Sequence, residues 1–214
     1  RAYITCPGSR RMEQVSYPRA FMKDVATIGI DTSGVSLHKR GYRQMTVKAP
    51  ITETLASALI MLTPWKKDRS LVDPFCGSGT FPIEAAMMAA DIAPGMNRSF
   101  LAEDWKQVVP RRCWYEAVEE AQDRVNLKIE TDIQGYDIDA EALKAARANA
   151  KMAGVESLIH FQQRPVKELI TRSLTDLSLR IHLMVSVWKK KQLCRSFTAR
   201  SVRATAAWIS GLCI

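Results

Sequence analysis

Residues 71–90 form the segment whose residue types and spacing are best suited to chemistry. A short apolar strand ends at Val72, and Gly77 and Gly79 follow within a tight turn. Because glycine has no Cβ, the backbone at both positions can turn sharply and lie close to a ligand. Thr80 could then cap a helix whose residues are apolar on nearly every face, which predicts that this helix is buried.

A strand and a buried helix joined by a Gly-x-Gly turn are typical of the first unit of a nucleotide-binding α/β sheet, in which free amides at the helix start face the ligand. Gly-x-Gly alone also occurs in ordinary tight turns. The Lys-Ser/Thr of phosphate-binding P-loops is missing, and Pro82 stands where dinucleotide-dependent dehydrogenases have a third glycine. Both of these nucleotide-binding classes are therefore disfavoured.

An acidic residue at the end of the second strand would complete such a site, because its carboxylate accepts hydrogen bonds from ribose hydroxyls. Asp137 follows the strand predicted at residues 129–136. Asp139 is the competitor, but helix capping explains it better. Asp73 could orient the amino group of a cofactor or simply stabilise the turn, and both interpretations stay open. Cys76 is interpreted as a small packing residue, since no histidine is near it in sequence.

The remaining pattern predicts an α/β fold: a Rossmann-like parallel sheet with helices on both faces, incomplete at its C-terminal side. Neither strand nor helix periodicity persists after about residue 169. The other predicted strands are at residues 25–30 and 158–163, and the other predicted helices are at residues 51–62, 114–125 and 140–153. The helix after the glycine turn is expected to stop at residues 93–95, Ala-Pro-Gly.

Two expectations concern surfaces. In the helix at residues 51–62, Leu55, Leu59 and Leu62 fall on one face, which predicts that this face packs against the core. The basic, aromatic segment at residues 37–43 could contact a phosphate or a base, but a solvated turn is the favoured interpretation.

The net charge of +9 suggests nucleic-acid binding, but its distribution is uneven. Residues 22–170 carry 19 basic and 20 acidic side chains, whereas residues 171–214 carry eight basic and one acidic. The basic C-terminal segment could be an RNA-binding arm. Five scattered cysteines without a Cys-x-x-Cys pair fit a reducing cytoplasm and indicate no zinc site. No apolar run is long enough to cross a membrane.

The string Asp-Pro-Phe-Cys-Gly-Ser-Gly-Thr at residues 73–80 resembles motif I of class I S-adenosylmethionine-dependent methyltransferases that act on nucleic-acid amines. Further stretches at residues 30–43, 49–51 and 92–100 make residues 22–168 similar to bacterial THUMP-domain-containing RNA methyltransferases. Similar members methylate the exocyclic N2 amine of a guanine in 23S ribosomal RNA. The resemblance thus implies S-adenosylmethionine as cofactor, ribosomal RNA as partner and no metal; it leaves the oligomeric state open.

The resemblance also implies a cofactor site. The residues implied to contact or approach S-adenosylmethionine are Thr52, Glu53, Asp73, Cys76, Gly77, Ser78, Gly79, Thr80, Asp137 and Ile138. Thr52 and Glu53 would lie near the methionine end of the cofactor. From its position alone, Glu53 could equally complement the dipole of the helix that it opens. No catalytic residue is assigned.

Two features of the family are missing from the sequence: the N-terminal THUMP module and the tetrapeptide Asn-Pro-Pro-Tyr. In the family, the Asn side chain and a backbone carbonyl accept hydrogen bonds from the target amine, and the Tyr stacks on the extruded base. We therefore expect an RNA methyltransferase core that does not methylate RNA at an appreciable rate. The alternatives are a non-catalytic fragment that binds the cofactor or RNA, and an N-methyltransferase for another nucleic-acid amine.

The two ends of the chain suggest why the tetrapeptide is missing. With one choice of synonymous codons, residues 180–189 read one base earlier spell Asn-Pro-Pro-Tyr-Gly-Glu-Arg-Leu-Glu after the first codon. Residues 14–20 read one base later can spell an alternating strand. We therefore expect residues 1–21 and 170–214 to be out-of-frame translations that flank a methyltransferase core at residues 22–169. The sequence of the coding DNA tests this hypothesis.

Overall fold

The computed structural model describes residues 19–22, 24–44 and 50–168. Apart from the strand that begins at Arg19, the segments expected to be out of frame lie outside the described residues. Within the described residues, no helix is long and apolar enough to span a membrane. The strands and helices are β1 (Arg19–Met22), β2 (Val25–Ile28), α1 (Glu53–Met61), β3 (Leu71–Asp73), α2 (Thr80–Ala89), α3 (Arg111–Asp123), β4 (Ile133–Asp137), α4 (Ala140–Met152) and β5 (Ile159–Gln163).

Strands β3, β4 and β5 form a parallel sheet in that order. Asp73 at the end of β3 pairs with Gly135 of β4, and Asp137 at the end of β4 pairs with Gln163 of β5. The carboxyl ends of all three strands therefore lie at one edge, which is where α/β sheets bind ligands. The predicted Rossmann-like parallel sheet with flanking helices is confirmed.

The strand predicted at residues 25–30 is shorter than expected and does not join the parallel sheet. Strand β2 ends at Ile28 and pairs antiparallel with β1. Asp24, in the connection between the two strands, has a φ of 61°. A turn follows β2 at residues 31–34, where Asp31 Oδ1 accepts hydrogen bonds from the amides of Ser33 and Gly34, each at 3.0 Å.

Helix α2 is buried along nearly its whole length, as its apolar sequence predicts, and nine of its ten residues are buried. The predicted capping role of Thr80 is wrong. Gly79 occupies the N-cap position with a φ of 82°, and the Thr80 hydroxyl accepts a hydrogen bond from Arg43 instead. The helix also ends at Ala89, before the expected stop at residues 93–95. Two residues later, Asp91 has a left-handed backbone conformation, with a φ of 56°.

The predicted face of α1 packs against the core only in part: Leu59 is partly buried against it. Leu55 and Leu62 are 50% and 80% exposed. The buried residues are Glu53, Ala56, Ser57 and Ile60. Polar contacts explain the difference, because Glu53 and Ser57 meet buried partners outside the helix that a hydrophobic pattern cannot reveal.

Helices α3 and α4 agree better with the sequence pattern. Trp114 of α3 is half-buried and stacks on Phe100, with ring centroids 5.9 Å apart. Asp139 caps α4 as predicted, since its Oδ1 accepts a hydrogen bond from the Glu141 amide at 2.9 Å. Gly154 follows the end of α4 with a φ of 75°. The basic stripe of this helix is exposed, as expected of a solvated face; it consists of Lys144, Arg147 and Lys151.

Two glycines allow the elements to pack closely behind the β3–α2 turn. A Cβ at Gly79 would lie 3.0 Å from Ala146 Cβ and 3.2 Å from Phe161 Cζ. A Cβ at Gly135 would lie 2.7 Å from the Phe161 ring. The turn, β4, β5 and α4 therefore meet where no additional side-chain atom fits.

Substituting alanine at Gly79 should lower the free energy of unfolding by about 2–4 kcal/mol, since the left-handed backbone costs about 1–2 kcal/mol and overpacking adds a similar amount. Gly154→Ala is the matched control. Its φ is also positive, but a Cβ there meets nothing within 4 Å, so it should cost only the backbone term of about 1–2 kcal/mol. Urea unfolding of both variants measures the difference. Equal losses would show that packing behind the turn is not tight.

Candidate cofactor site

The glycine turn and the end of β4 are joined by hydrogen bonds. The Gly77 amide donates to Asp137 Oδ2 at 2.9 Å. The Cys76 amide donates to the Tyr136 carbonyl, also at 2.9 Å. The structure therefore brings together the two parts of the predicted site, although they are 60 residues apart in the sequence.

Asp137 is held in a fixed orientation by its own loop as well. Its Oδ1 accepts a hydrogen bond from the Asp139 amide at 3.0 Å. Each carboxylate oxygen thus receives one backbone amide and retains capacity for another donor. Ile138, directly after the carboxylate, is 71% exposed. This part of the site combines an oriented acceptor with an uncovered apolar side chain.

Asp73 is buried at the end of β3 and is 2% exposed. Its Oδ1 accepts a hydrogen bond from the Phe75 amide at 3.1 Å, so it stabilises the turn. The alternative role, orientation of a cofactor's amino group, stays a prediction.

Cys76 is also buried, and burial raises the pKa of its thiol above the ordinary value of 9.0. A protonated, buried thiol agrees with the packing role inferred for Cys76.

Asn149 holds the turn from behind and was not predicted from the sequence. It is fully buried in α4, and its Nδ2 donates to the Ser78 carbonyl at 3.2 Å. Its Oδ1 accepts from the Gln44 amide at 3.2 Å. A signal was present, because Asn149 is a polar residue on the helix face that also carries the buried Ala146 and Ala153.

Arg43 links α1 to the start of α2. Its Nη2 donates to Thr80 Oγ1 at 2.7 Å and to the Ile51 carbonyl at 2.8 Å. Its Nε lies 3.2 Å from Glu53 Oε1, and the two side chains are 13% and 4% exposed. Glu53 and Thr80 are both predicted site residues. Arg43, which was not predicted to belong to the site, therefore joins them. Thr52 precedes Glu53 as the N-cap of α1 and is exposed.

A second buried network surrounds Glu84, a carboxylate inside the apolar helix α2. Its Oε1 accepts from the Tyr42 hydroxyl at 2.8 Å, its Oε2 accepts from the Ser57 hydroxyl, and Arg40 Nη2 lies 3.6 Å from Oε2. Burial raises the pKa of Glu84, while the two hydroxyl donors and Arg40 oppose that shift. Burial also raises the pKa of Tyr42, which keeps its hydroxyl a donor.

The predicted solvated turn at residues 37–43 is therefore wrong for Arg40, Tyr42 and Arg43. The physical reason is that the buried carboxylates of α1 and α2 need donors and positive charge, and this segment supplies both. A lone acid in an apolar helix is the sequence signal that could have indicated the network. Within the residues that the structure describes, no cluster of His, Cys, Asp or Glu side chains is placed to hold a metal ion.

Comparison with known families identifies the family of the chain. Residues 40–179 match the family model described as "RMKL-like, methyltransferase domain". The chain belongs to this methyltransferase family. The matched residues include the glycine turn, Asp137, and the cluster of Arg43 and Glu53. The resemblance to RNA methyltransferases inferred from the sequence is thereby confirmed at the level of the methyltransferase domain.

Two curated relatives and one solved structure extend this result. "Putative RNA methyltransferase YpsC" of Bacillus subtilis (strain 168) is 47% identical over 152 residues, which are 71% of this chain and 39% of the relative. "Ribosomal RNA large subunit methyltransferase K/L" of Shewanella oneidensis is 47% identical over 146 residues, 66% of this chain and 20% of the relative. SMU.472, "a putative methyltransferase complexed with SAH", is 40% identical with a TM-score of 0.69, over 74% of this chain and 41% of that one. The chain spans less than half the length of each.

The raised pKa of Glu84 predicts how pH changes stability. A carboxyl group whose pKa is higher in the folded chain binds its proton more tightly there, so its stabilising contribution is largest below the ordinary value of 4.5 and is lost as pH rises through the folded pKa. The stability of the unaltered chain relative to Glu84→Gln, which cannot ionise, should therefore fall as pH rises above 4.5. Urea unfolding of both proteins over a pH series measures this difference. A difference that is constant or grows with pH would contradict the prediction.

Proposed function

We propose that this chain binds S-adenosylmethionine at the carboxyl ends of β3 and β4, and that the chemistry of its family is methylation of the exocyclic N2 amine of a guanine in ribosomal RNA. The observation that carries the cofactor proposal is the joined turn: the Gly77 amide and Asp137 meet at the sheet edge, within a segment that belongs to a methyltransferase family. A family member complexed with SAH, which is S-adenosylmethionine without its transferred methyl group, supports the cofactor class.

The adenosine end of the cofactor fits the end of β4. Both oxygens of Asp137 can accept a further hydrogen bond, which the two ribose hydroxyls would donate. The exposed side chain of Ile138 offers an apolar surface to the adenine ring. Gly77 has no side chain, so the cofactor can approach the backbone at this position.

The methionine end fits the cluster at the start of α1. Oε2 of Glu53 is buried and, among the described residues, has no hydrogen-bond partner. A carboxylate oxygen of this kind suits the ammonium group of the methionine portion, because charge-assisted hydrogen bonds are strong. Thr52 precedes Glu53 and Thr80 follows the turn, so both border this end.

The proposal that the substrate is RNA rests on the relatives, one named as an RNA methyltransferase and one as a ribosomal RNA methyltransferase. The guanine N2 amine is the target implied by the sequence resemblance. Methyl transfer requires the base to leave its stack so that its amine can be held in line with the methyl group. Holding the amine in that position supplies most of the catalysis. The methyltransferase core at residues 22–169 would bind the cofactor, and the protein would act in the cytoplasm.

We also propose that the chain as given binds the cofactor but methylates RNA negligibly, because its sequence contains no Asn-Pro-Pro-Tyr to hold the amine. The family match reaches residue 179, beyond the boundary near residue 170 after which we expect the chain to be out of frame. Ribosomal RNA incubated with the chain and radiolabelled S-adenosylmethionine should gain almost no label, and the coding DNA should contain a single-base shift near codon 170 that opens the Asn-Pro-Pro-Tyr frame. Robust labelling by the unaltered chain would refute the proposal; nucleoside analysis of any product would distinguish methylated guanine from other amines.

Replacing Asp137 by alanine should weaken S-adenosylmethionine binding by about 1–3 kcal/mol, because the ribose hydroxyls lose a partly buried charged acceptor. Asp139→Ala is the matched control: it removes the cap of α4, which should cost about 1 kcal/mol of stability, but it should leave the affinity unchanged. Titration calorimetry gives the affinities and thermal unfolding gives the stabilities. Equal affinity of Asp137→Ala and the unaltered chain would overturn the assignment.

A further inference from the structure

Arg43 contacts three separate parts of the molecule with one guanidinium group. Its Nη2 donates to Thr80 Oγ1, at the start of α2, and to the Ile51 carbonyl, just before α1. Its Nε lies 3.2 Å from Glu53 Oε1. The planar guanidinium carries five donors in a fixed arrangement, so arginine can serve these acceptors together, whereas a lysine ammonium at the end of a flexible stem cannot do so with the same geometry.

The partner carboxylate of this arginine is only partly satisfied. The Glu53 side chain is 4% exposed, and Oε1 has the Arg43 charge beside it. Oε2 is also buried but, among the residues that the structure describes, accepts no hydrogen bond. Buried carboxylate oxygens without a donor are rare and costly, and at a binding site the ligand can supply the donor.

We infer that Arg43 is a positioning residue for the amino-acid end of the cofactor: it fixes the Glu53 carboxylate so that Oε2 accepts a hydrogen bond from the ammonium group. This inference rests on the proposed function. Arg43 need not touch the cofactor to act in this way: its Nη2 donates to Thr80 Oγ1 and the Ile51 carbonyl, and its Nε places positive charge 3.2 Å from Glu53 Oε1. Its contact with Thr80 also fixes the distance between the Glu53 carboxylate and the glycine turn.

Two ligands that differ only in the amino-acid portion test this role. S-adenosylhomocysteine carries the ammonium and carboxylate groups; 5′-methylthioadenosine has the same adenosine and thioether but lacks both. Calorimetry on the full 214-residue chain should show that Arg43→Gln weakens S-adenosylhomocysteine binding roughly 10- to 100-fold, as expected for a lost charge-assisted contact. The affinity for 5′-methylthioadenosine should stay within about threefold, a difference below 1 kcal/mol. Arg43→Lys, which keeps the charge and is the milder change, should give a smaller loss with the same ligand preference.

A double-mutant cycle tests whether Arg43 acts through Glu53. In a Glu53→Gln background, Arg43→Gln should weaken S-adenosylhomocysteine binding only slightly further. Arg40→Gln is the control, because Arg40 is similarly buried but contacts Ser57 and Glu84 rather than Glu53 or Thr80. It should affect both ligands equally.

Three outcomes would overturn the inference: equal weakening of both ligands by Arg43→Gln and Arg43→Lys, full additivity of the Arg43 and Glu53 substitutions, or the same ligand preference in Arg40→Gln. Failure of the proposed function has a different signature. If the unaltered chain bound neither ligand, the cofactor site itself would be refuted, and the inference about Arg43 with it.

Discussion

The architecture depends on close packing of bare backbone behind the β3–α2 turn. Gly79 and Gly135 leave no room for a Cβ against Ala146 and the Phe161 ring, so the turn lies directly on the sheet and on α4. This short distance lets the Gly77 amide reach Asp137 on the neighbouring strand. The proposed cofactor site therefore depends on backbone packing, because the two missing side chains let the turn lie directly against the sheet and α4.

A buried polar layer joins this packed centre to α1. Glu53 and Glu84 are both nearly inaccessible, and each has an arginine beside it, Arg43 and Arg40 respectively. Buried carboxylates require such partners, because a charge without compensation costs far more than an apolar contact gains. The layer fixes how α1 approaches α2, and thus how far the start of α1 lies from the glycine turn. The pairing of these buried charges therefore sets the distance between the two parts of the proposed site.

Much of the fold follows from local patterns. The alternation of strand and helix predicts the parallel sheet, Asp139 predicts its helix start, and the apolar run after the turn predicts a buried helix. The predicted inward face of α1 was wrong for Leu55 and Leu62, because polar residues with partners outside the helix are buried instead. The predicted solvated turn at residues 37–43 failed for the same reason. Hydrophobic periodicity indicates only which face of a helix avoids water on average. It does not indicate that a particular polar side chain is buried beside a partner from another element.

The sequence by itself determined the features that depend on neighbouring residues: the glycine turn, the alternation of strands and helices, the acid after β4 and the resemblance to methyltransferases. Only the tertiary structure decided which distant groups meet. Asn149 reaches the Gln44 amide across 105 residues, and Tyr42 reaches Glu84 across 42. Such pairs depend on how the helices and strands pack in three dimensions. Many residues of the chain could form a hydrogen bond with either partner, so the sequence alone does not indicate which one does. The local conformations of the chain are therefore visible in its sequence, whereas the pairing of its buried charges becomes visible only after the helices are placed on the sheet.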